Sequence, residues 1–211
     1  MPNNKKAIYK FELLTVIDEK NADNHGCLGL LYETIGNKEG AAAEFRKSLL
    51  LNPNLGLFYG KIAIDYATKK DYEKSIFYMN LVIERDLDNP IHHKFLGSLY
   101  YNLDRYDEAI NEMYKAIEYD KLNAEFYFDI GSMSLLEYIK TENVGLLEDA
   151  VYSLIIYDEL KPNKSINKLA ERAYEILNNI KIDDDPNSIN NLMWQKYKSE
   201  IRIDFLKSIQ K

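Results

Sequence analysis

The chain has 211 residues, 46% of them hydrophobic and 29% charged, with a formal net charge of −7. It is long enough to bury a core, and this balance sets aside disordered and membrane-embedded classes. The negative charge and the absence of a Lys/Arg stripe argue against nucleic acid, whose phosphates need clustered cations.

The single cysteine, Cys27, cannot form an internal disulfide, which fits a reducing compartment. The N-terminal stretch MPNNKKAIYKFELLTVIDEK has a basic start but no secretory core, because Lys10 and Glu12 interrupt its apolar residues. No apolar run approaches the roughly 18 residues a membrane span needs. The expectation is a soluble, cytoplasmic chain without a membrane partner.

Apolar residues recur at spacings of three and four, the mark of helix faces. A longer period organises them. Gly29, Ala63, Gly97 and Gly131 stand 34 positions apart, as do Leu28, Ile62, Leu96 and Ile130. Tyr32, Tyr66 and Tyr100 keep the same interval, and so do Ala41, Ser75 and Ala109, and Phe45, Met79 and Met113. Small residues at two of these series let two helices approach closely while Leu, Tyr and Phe fill the space around them. Asn52-Pro53 ends the second helix of the first copy, since proline cannot donate the intrahelical hydrogen bond.

In chain order, residues 1–21 read as half a unit, with Ala7, Phe11 and Leu14 at second-helix positions. Full units follow at 22–55, 56–89, 90–123 and 124–164, the last carrying seven extra residues after Ser134, about two helical turns. These predict either an elongated first helix or a projecting loop. Beyond 164, SINKLAERAYEILNNI is a helix with Leu169, Ala170, Ala173 and Leu177 on one side. DDDPNS then breaks the chain. A last amphipathic helix from about 188 to 209 carries Leu192, Met193, Trp194, Tyr197, Ile201, Phe205 and Ile209. Residues 165–211 thus read as degenerate capping helices within one domain spanning 1–211, as the ends of stacked repeats must turn a face to water.

The register Leu-Gly-x-x-Tyr, a small residue, then a bulky one four later resembles the tetratricopeptide repeat. The resemblance covers four units and implies an all-α, right-handed α-solenoid of helical hairpins.

The adjacent His92 and His93 invite a metal or catalytic reading. On a helix, neighbours point apart and cannot chelate one ion, and helical ligand pairs need i, i+4 spacing. His93 and His25 share one repeat position, where Tyr59 and Tyr127 stand in the other copies, so a flat ring packing between helices is expected there. GLFYGK at 56–61 is one residue too short between its glycines for a phosphate loop, with Ile62 where Ser or Thr would hold magnesium. Asp183, Asp185 and Asn187 fail as a calcium loop, because Ser188 stands where glycine is needed and Trp194 where the bidentate glutamate belongs. An acidic helix start accounts for them better. No nucleophile–base set assembles, so the reading is not an enzyme, with no cofactor and no metal.

The resemblance implies that first helices line a concave groove that takes peptide or protein segments. Its groove positions fall on Cys27, Leu30, Lys61, Ile64, Lys94, Phe95, Ser98, Tyr101, Phe128 and Asp129, and also on Asp23, Glu33 and Leu57. Some members clamp acidic C-termini with Lys, Asn and Arg; here Gly26, Leu30 and Phe95 stand at those positions, which disfavours such a clamp. An apolar or amphipathic segment fits instead. The expected function is a non-enzymatic scaffold or adaptor for a protein or peptide partner, the alternative a secretion- or assembly-type chaperone holding an unfolded client as a dimer. Two further occupants compete for the groove: the C-terminal amphipathic helix, expected to cap the last repeat, and a second copy in a homodimer.

Overall fold

A computed structural model describes residues 2–179 and 189–209. The DDDPNS segment, with Asp183, Asp185, Asn187 and the acidic helix start read there, lies outside them. The described residues form eleven α-helices and no strand. They divide into two compact units, Met1–Leu87 and Asp88–Lys211.

Unit 1 holds α1 (Pro2–Ile17) and two antiparallel hairpins, α2 (Ala22–Thr34) with α3 (Lys38–Leu51) and α4 (Leu55–Thr68) with α5 (Tyr72–Ile83). Unit 2 continues the pattern with α6 (Pro90–Asn102) and α7 (Tyr106–Tyr119), then α8 (Ala124–Thr141) and α9 (Val144–Leu160). Helices α10 (Lys164–Asn178) and α11 (Ile189–Ile209) complete it.

Asparagine writes most of the helix starts. The side chains of Asn21, Asn37, Asn89, Asn123, Asn143 and Asn163 each accept a backbone N–H of the first turn, as Asp71 does for α5. Pro90 follows Asn89 at the first turn of α6, where its missing N–H costs nothing. The hairpin turns are equally regular. Gly36, Lys70 and Asp104, again 34 apart, all adopt left-handed φ values of 78°, 61° and 57°. The next residue's N–H then reaches back to the carbonyl of Tyr32, Tyr66 or Tyr100 at 2.9–3.0 Å. This is the six-to-one bond of a Schellman cap, and that donor residue is also the N-cap of the following helix. One residue closes one helix and opens the next, which fixes the hairpin angle.

The small-residue series is a close-approach series. A Cβ placed on Gly29 would lie 2.6 Å from the buried Phe45 ring, and one on Gly97 2.9 Å from Met113 and 3.0 Å from the Ala109 carbonyl. Ala63 fills the same position in the second copy, where the register sets Met79, not a rigid ring, in the place of Phe45. Gly29→Ala is expected to cost about 1–3 kcal/mol through the displaced ring. Denaturant unfolding of that variant checks it, with Gly60→Ala, which meets nothing within 4 Å, as the mild comparison.

The extra residues of the fourth hairpin go into both helices: α8 runs 18 residues and α9 17, against 13 and 14 for α6 and α7. Helix α11 lies on α9 and α10. It buries Trp194, Ile201 and Phe205 in one cluster with Leu154, Ile155, Tyr157, Ala173 and Tyr174. Lys198 meets Asp158 at 2.7 Å and also Asn167, Arg202 meets Glu159 at 3.0 Å, and Lys121 donates to the Ser208 carbonyl.

Candidate functional site

In unit 1, the first helices α2 and α4 face each other across a cleft of about 340 Å³. Helix α2 lines it with Asp23, Gly26, Cys27 and Leu30, and α4 with Leu55, Phe58 and Tyr59. Ser48 of α3 forms the floor, its hydroxyl donating to the Ala22 carbonyl at 2.8 Å while accepting from the Tyr59 hydroxyl at 3.3 Å. Burial pushes the Tyr59 phenol up, so it stays a neutral donor. Gly26 keeps the floor open, since a Cβ there would stand 3.3 Å from the Ser48 oxygen. The rim is apolar and wet: Leu30 and Phe58 are exposed, and Leu57 and Ile64 continue the surface along α4.

Cys27 and Leu30 therefore line this cleft, whereas Lys61 and Ile64 stand exposed on α4 outside its lining. Sequence reasoning missed Leu55, Phe58 and Tyr59. The available signal was Phe58 itself, a large ring at the repeat position held by Asn24 in the first copy, His92 in the third and Phe126 in the fourth. Glu33 is engaged on the other side of α2. It accepts from the Tyr78 hydroxyl at 2.5 Å and the Tyr66 hydroxyl at 3.3 Å, with Lys74 at 3.9 Å. Burial first, then that carboxylate, holds the Tyr78 phenol far above its ordinary range.

In unit 2, α6 carries Lys94, Phe95, Ser98 and Tyr101, and α8 carries Phe128 and Asp129. The structure brings Lys94 and Asp129 together at 3.0 Å, with the ammonium 5.7 Å over the Phe126 ring. Ser98 donates to the Phe95 carbonyl at 2.7 Å. Tyr101 packs edge-on against Tyr106, and Phe128 leans on Tyr157 at 5.4 Å as part of the core cluster. Much of this set is thus engaged with its own unit, and Phe128 supports the core of that unit.

Two polar pairs tie first helices to second helices, each with its imidazole buried. His25 Nδ1 meets Glu44 at 2.6 Å and His93 Nδ1 meets Glu112 at 2.7 Å. Both pairs span 19 positions, and Tyr59 and Tyr78 occupy the same two places in the second copy with their rings stacked 6.1 Å apart. His93 also stacks on Tyr119 at 5.9 Å. The ring packs as expected; its carboxylate partner was not foreseen. Among the described residues no group of three or more His, Cys, Asp or Glu side chains gathers to hold a metal.

The family profile described as tetratricopeptide repeat matches residues 26–55 and 95–121. These two segments are tetratricopeptide repeats. The two matched segments fall in the first and third copies, which carry the Leu-Gly pair and a His–Glu contact. A search of the curated proteins found no match. Among solved structures, the repeat protein is similar to a point mutant of MamA at 22% identity and a TM-score of 0.55, over 68% of this chain and 99% of that one. It is also similar to the first TPR of Spaghetti (RPAP3) bound to an HSP90 peptide, at 17% identity and a TM-score of 0.49 over 59% and 94%. The Yersinia enterocolitica secretion chaperone SycD, in complex with a YopD peptide, matches at 21% and 0.45 over 61% and 92%. The likeness to MamA is one of fold. No helix of the described residues is long and apolar enough to cross a membrane.

Proposed function

We propose that this protein is a non-enzymatic interaction scaffold that holds an apolar or amphipathic segment of a partner protein on its first-helix face. The α2–α4 cleft carries the reading: an open, preformed, apolar recess with one carboxylate, Asp23, at its edge. Stacked helical hairpins use such surfaces to bind extended or helical segments. A recess of this kind suits one large apolar side chain as an anchor, and interface energy concentrates in such anchors. The Lys94–Asp129 contact supports the same view, because a lysine already neutralised is a poor receptor for an acidic chain end.

Binding of fluorescent Leu/Phe-rich amphipathic peptides, read by anisotropy, tests this. Leu30→Asp with Phe58→Asp is expected to weaken capture by roughly tenfold or more, since each removes an apolar contact worth about 1–2 kcal/mol. Far-ultraviolet circular dichroism should stay unchanged, as both side chains are exposed. Undiminished capture by the double variant sinks the cleft as the binding site. Charged substitution at Phe128 is a poorer probe, because it would disturb the packing on Tyr157.

A further inference from the structure

Helix α1 presents an apolar stripe that nothing in unit 1 covers. One face packs on α2: Asn4 donates to the Thr34 hydroxyl at 3.3 Å, and Glu12 accepts from the Tyr32 hydroxyl at 2.8 Å. The other face carries Tyr9, Leu13, Val16 and Ile17, which are 68%, 49%, 77% and 71% exposed. Spacings of four and three between Tyr9, Leu13 and Val16 place them in one line along the helix, the seam of a two-helix contact. The repeat register sharpens the anomaly. The same four positions in α7 carry Asn111, Lys115, Glu118 and Tyr119, and in α3 Ala43, Lys47, Leu50 and Leu51. In α5 and the turn after it they carry Phe77, Leu81, Glu84 and Arg85, so α1 alone among these four helices has four large apolar residues there.

The charges along that stripe run from one sign to the other. Lys5, Lys6 and Lys10 flank its N-terminal half, and Asp18 and Glu19, with Lys20, follow its C-terminal end; all are exposed. We propose that this stripe is a self-association surface, on which α1 of one copy crosses α1 of a second copy antiparallel. An antiparallel crossing joins Tyr9 of each copy to the Val16–Ile17 end of the other and meets near Leu13. With Leu13 on Leu13 it brings Lys5 and Lys6 of one copy to the turn of Asp18, Glu19 and Lys20 of the other, net positive against net negative, whereas a parallel crossing would oppose lysine to lysine. The contact is isologous and closes as a dimer. An anionic bilayer is the weaker fit, because the apolar end, which would insert deepest, carries the carboxylates, not the lysines. The proposal stands independently of the α2–α4 cleft.

Sedimentation velocity of the full chain across the micromolar range tests it, with circular dichroism as the folding control. The expected result is a concentration-dependent species of twice the monomer mass. Leu13→Glu with Val16→Glu should weaken it roughly a hundredfold or more without loss of helicity. Lys6→Glu should weaken it, and Lys6→Glu with Glu19→Lys should restore it. A wild-type chain that stays monomeric overturns the proposal, as does a dimer indifferent to Leu13→Glu/Val16→Glu. Failure of the charge exchange to restore the dimer overturns the antiparallel crossing. A monomer that sediments with phosphatidylserine vesicles, and is released by Leu13→Glu/Val16→Glu, assigns the stripe to a lipid surface instead.

Discussion

Glu112→Ala is expected to lower the unfolding free energy by about 2–4 kcal/mol. The carboxylate sits almost wholly out of solvent between α6 and α7, where it meets His93 Nδ1 at 2.7 Å and Lys115 at 2.7 Å. Its removal leaves a buried imidazole without that partner and opens a void beside Met113 and Ala116, both fully buried on α7. The exposed Lys115 pair contributes little, so Lys115→Ala should cost under about 1 kcal/mol and separate the two contacts. Replacing both partners with apolar groups of similar shape, His93→Phe with Glu112→Leu, should recover part of the loss, because neither member of the pair is then left facing an empty place. Denaturant unfolding of these variants supplies the test. An additive double variant would mean that the two side chains are not coupled.

Trp194→Ala is the second large effect, at about 3–5 kcal/mol. The indole is 1% exposed and sits 5.0 Å from the Tyr174 ring, which in turn lies 4.8 Å from Tyr197. These rings are the apolar link between α11 and α10, while Ile201 and Phe205 continue the contact to the α8–α9 core. Ion pairs at Lys198 and Arg202 orient α11 but are partly solvated, so they cannot hold it once the indole is gone. The expected readout is a lower unfolding midpoint with helical signal lost ahead of the main transition. Ile203→Ala and Leu206→Ala, on the exposed side of α11, should change little. An unshifted midpoint for Trp194→Ala would remove the docking role argued for the indole.

The hairpins were legible because the signals that build them are local and repeated. Leu28, Gly29 and Tyr32, with their counterparts 34 residues on, announce a helix face and a close approach. The left-handed turn at Gly36, Lys70 and Asp104 was harder to see, since only the first copy uses glycine there. The candidate site depends on more than spacing. Cys27 and Leu30 line the α2–α4 cleft, but Phe58 was passed over because a rule about groove positions ignores side-chain size. Lys94 and Asp129 both fall at groove positions, and the structure pairs them with each other. A long side chain one helix away chooses between solvent and neighbour by reach and geometry, which spacing does not encode.

The His–Glu pairs mark the boundary most clearly. A histidine and a glutamate 19 positions apart, repeated after 68, is a pattern the sequence contains. Only the packed hairpin shows that this spacing spans the turn and brings the two groups within 2.7 Å in the interior. The sequence alone therefore determined the repeat length, the helical hairpins and the small-residue contacts, because these follow from periodicity, sterics and chain stops. The tertiary structure alone decided which charges pair, how α8 and α9 share their extra turns and where α11 docks. Those outcomes depend on the rotation and separation of helices distant in sequence, quantities that no local preference sets.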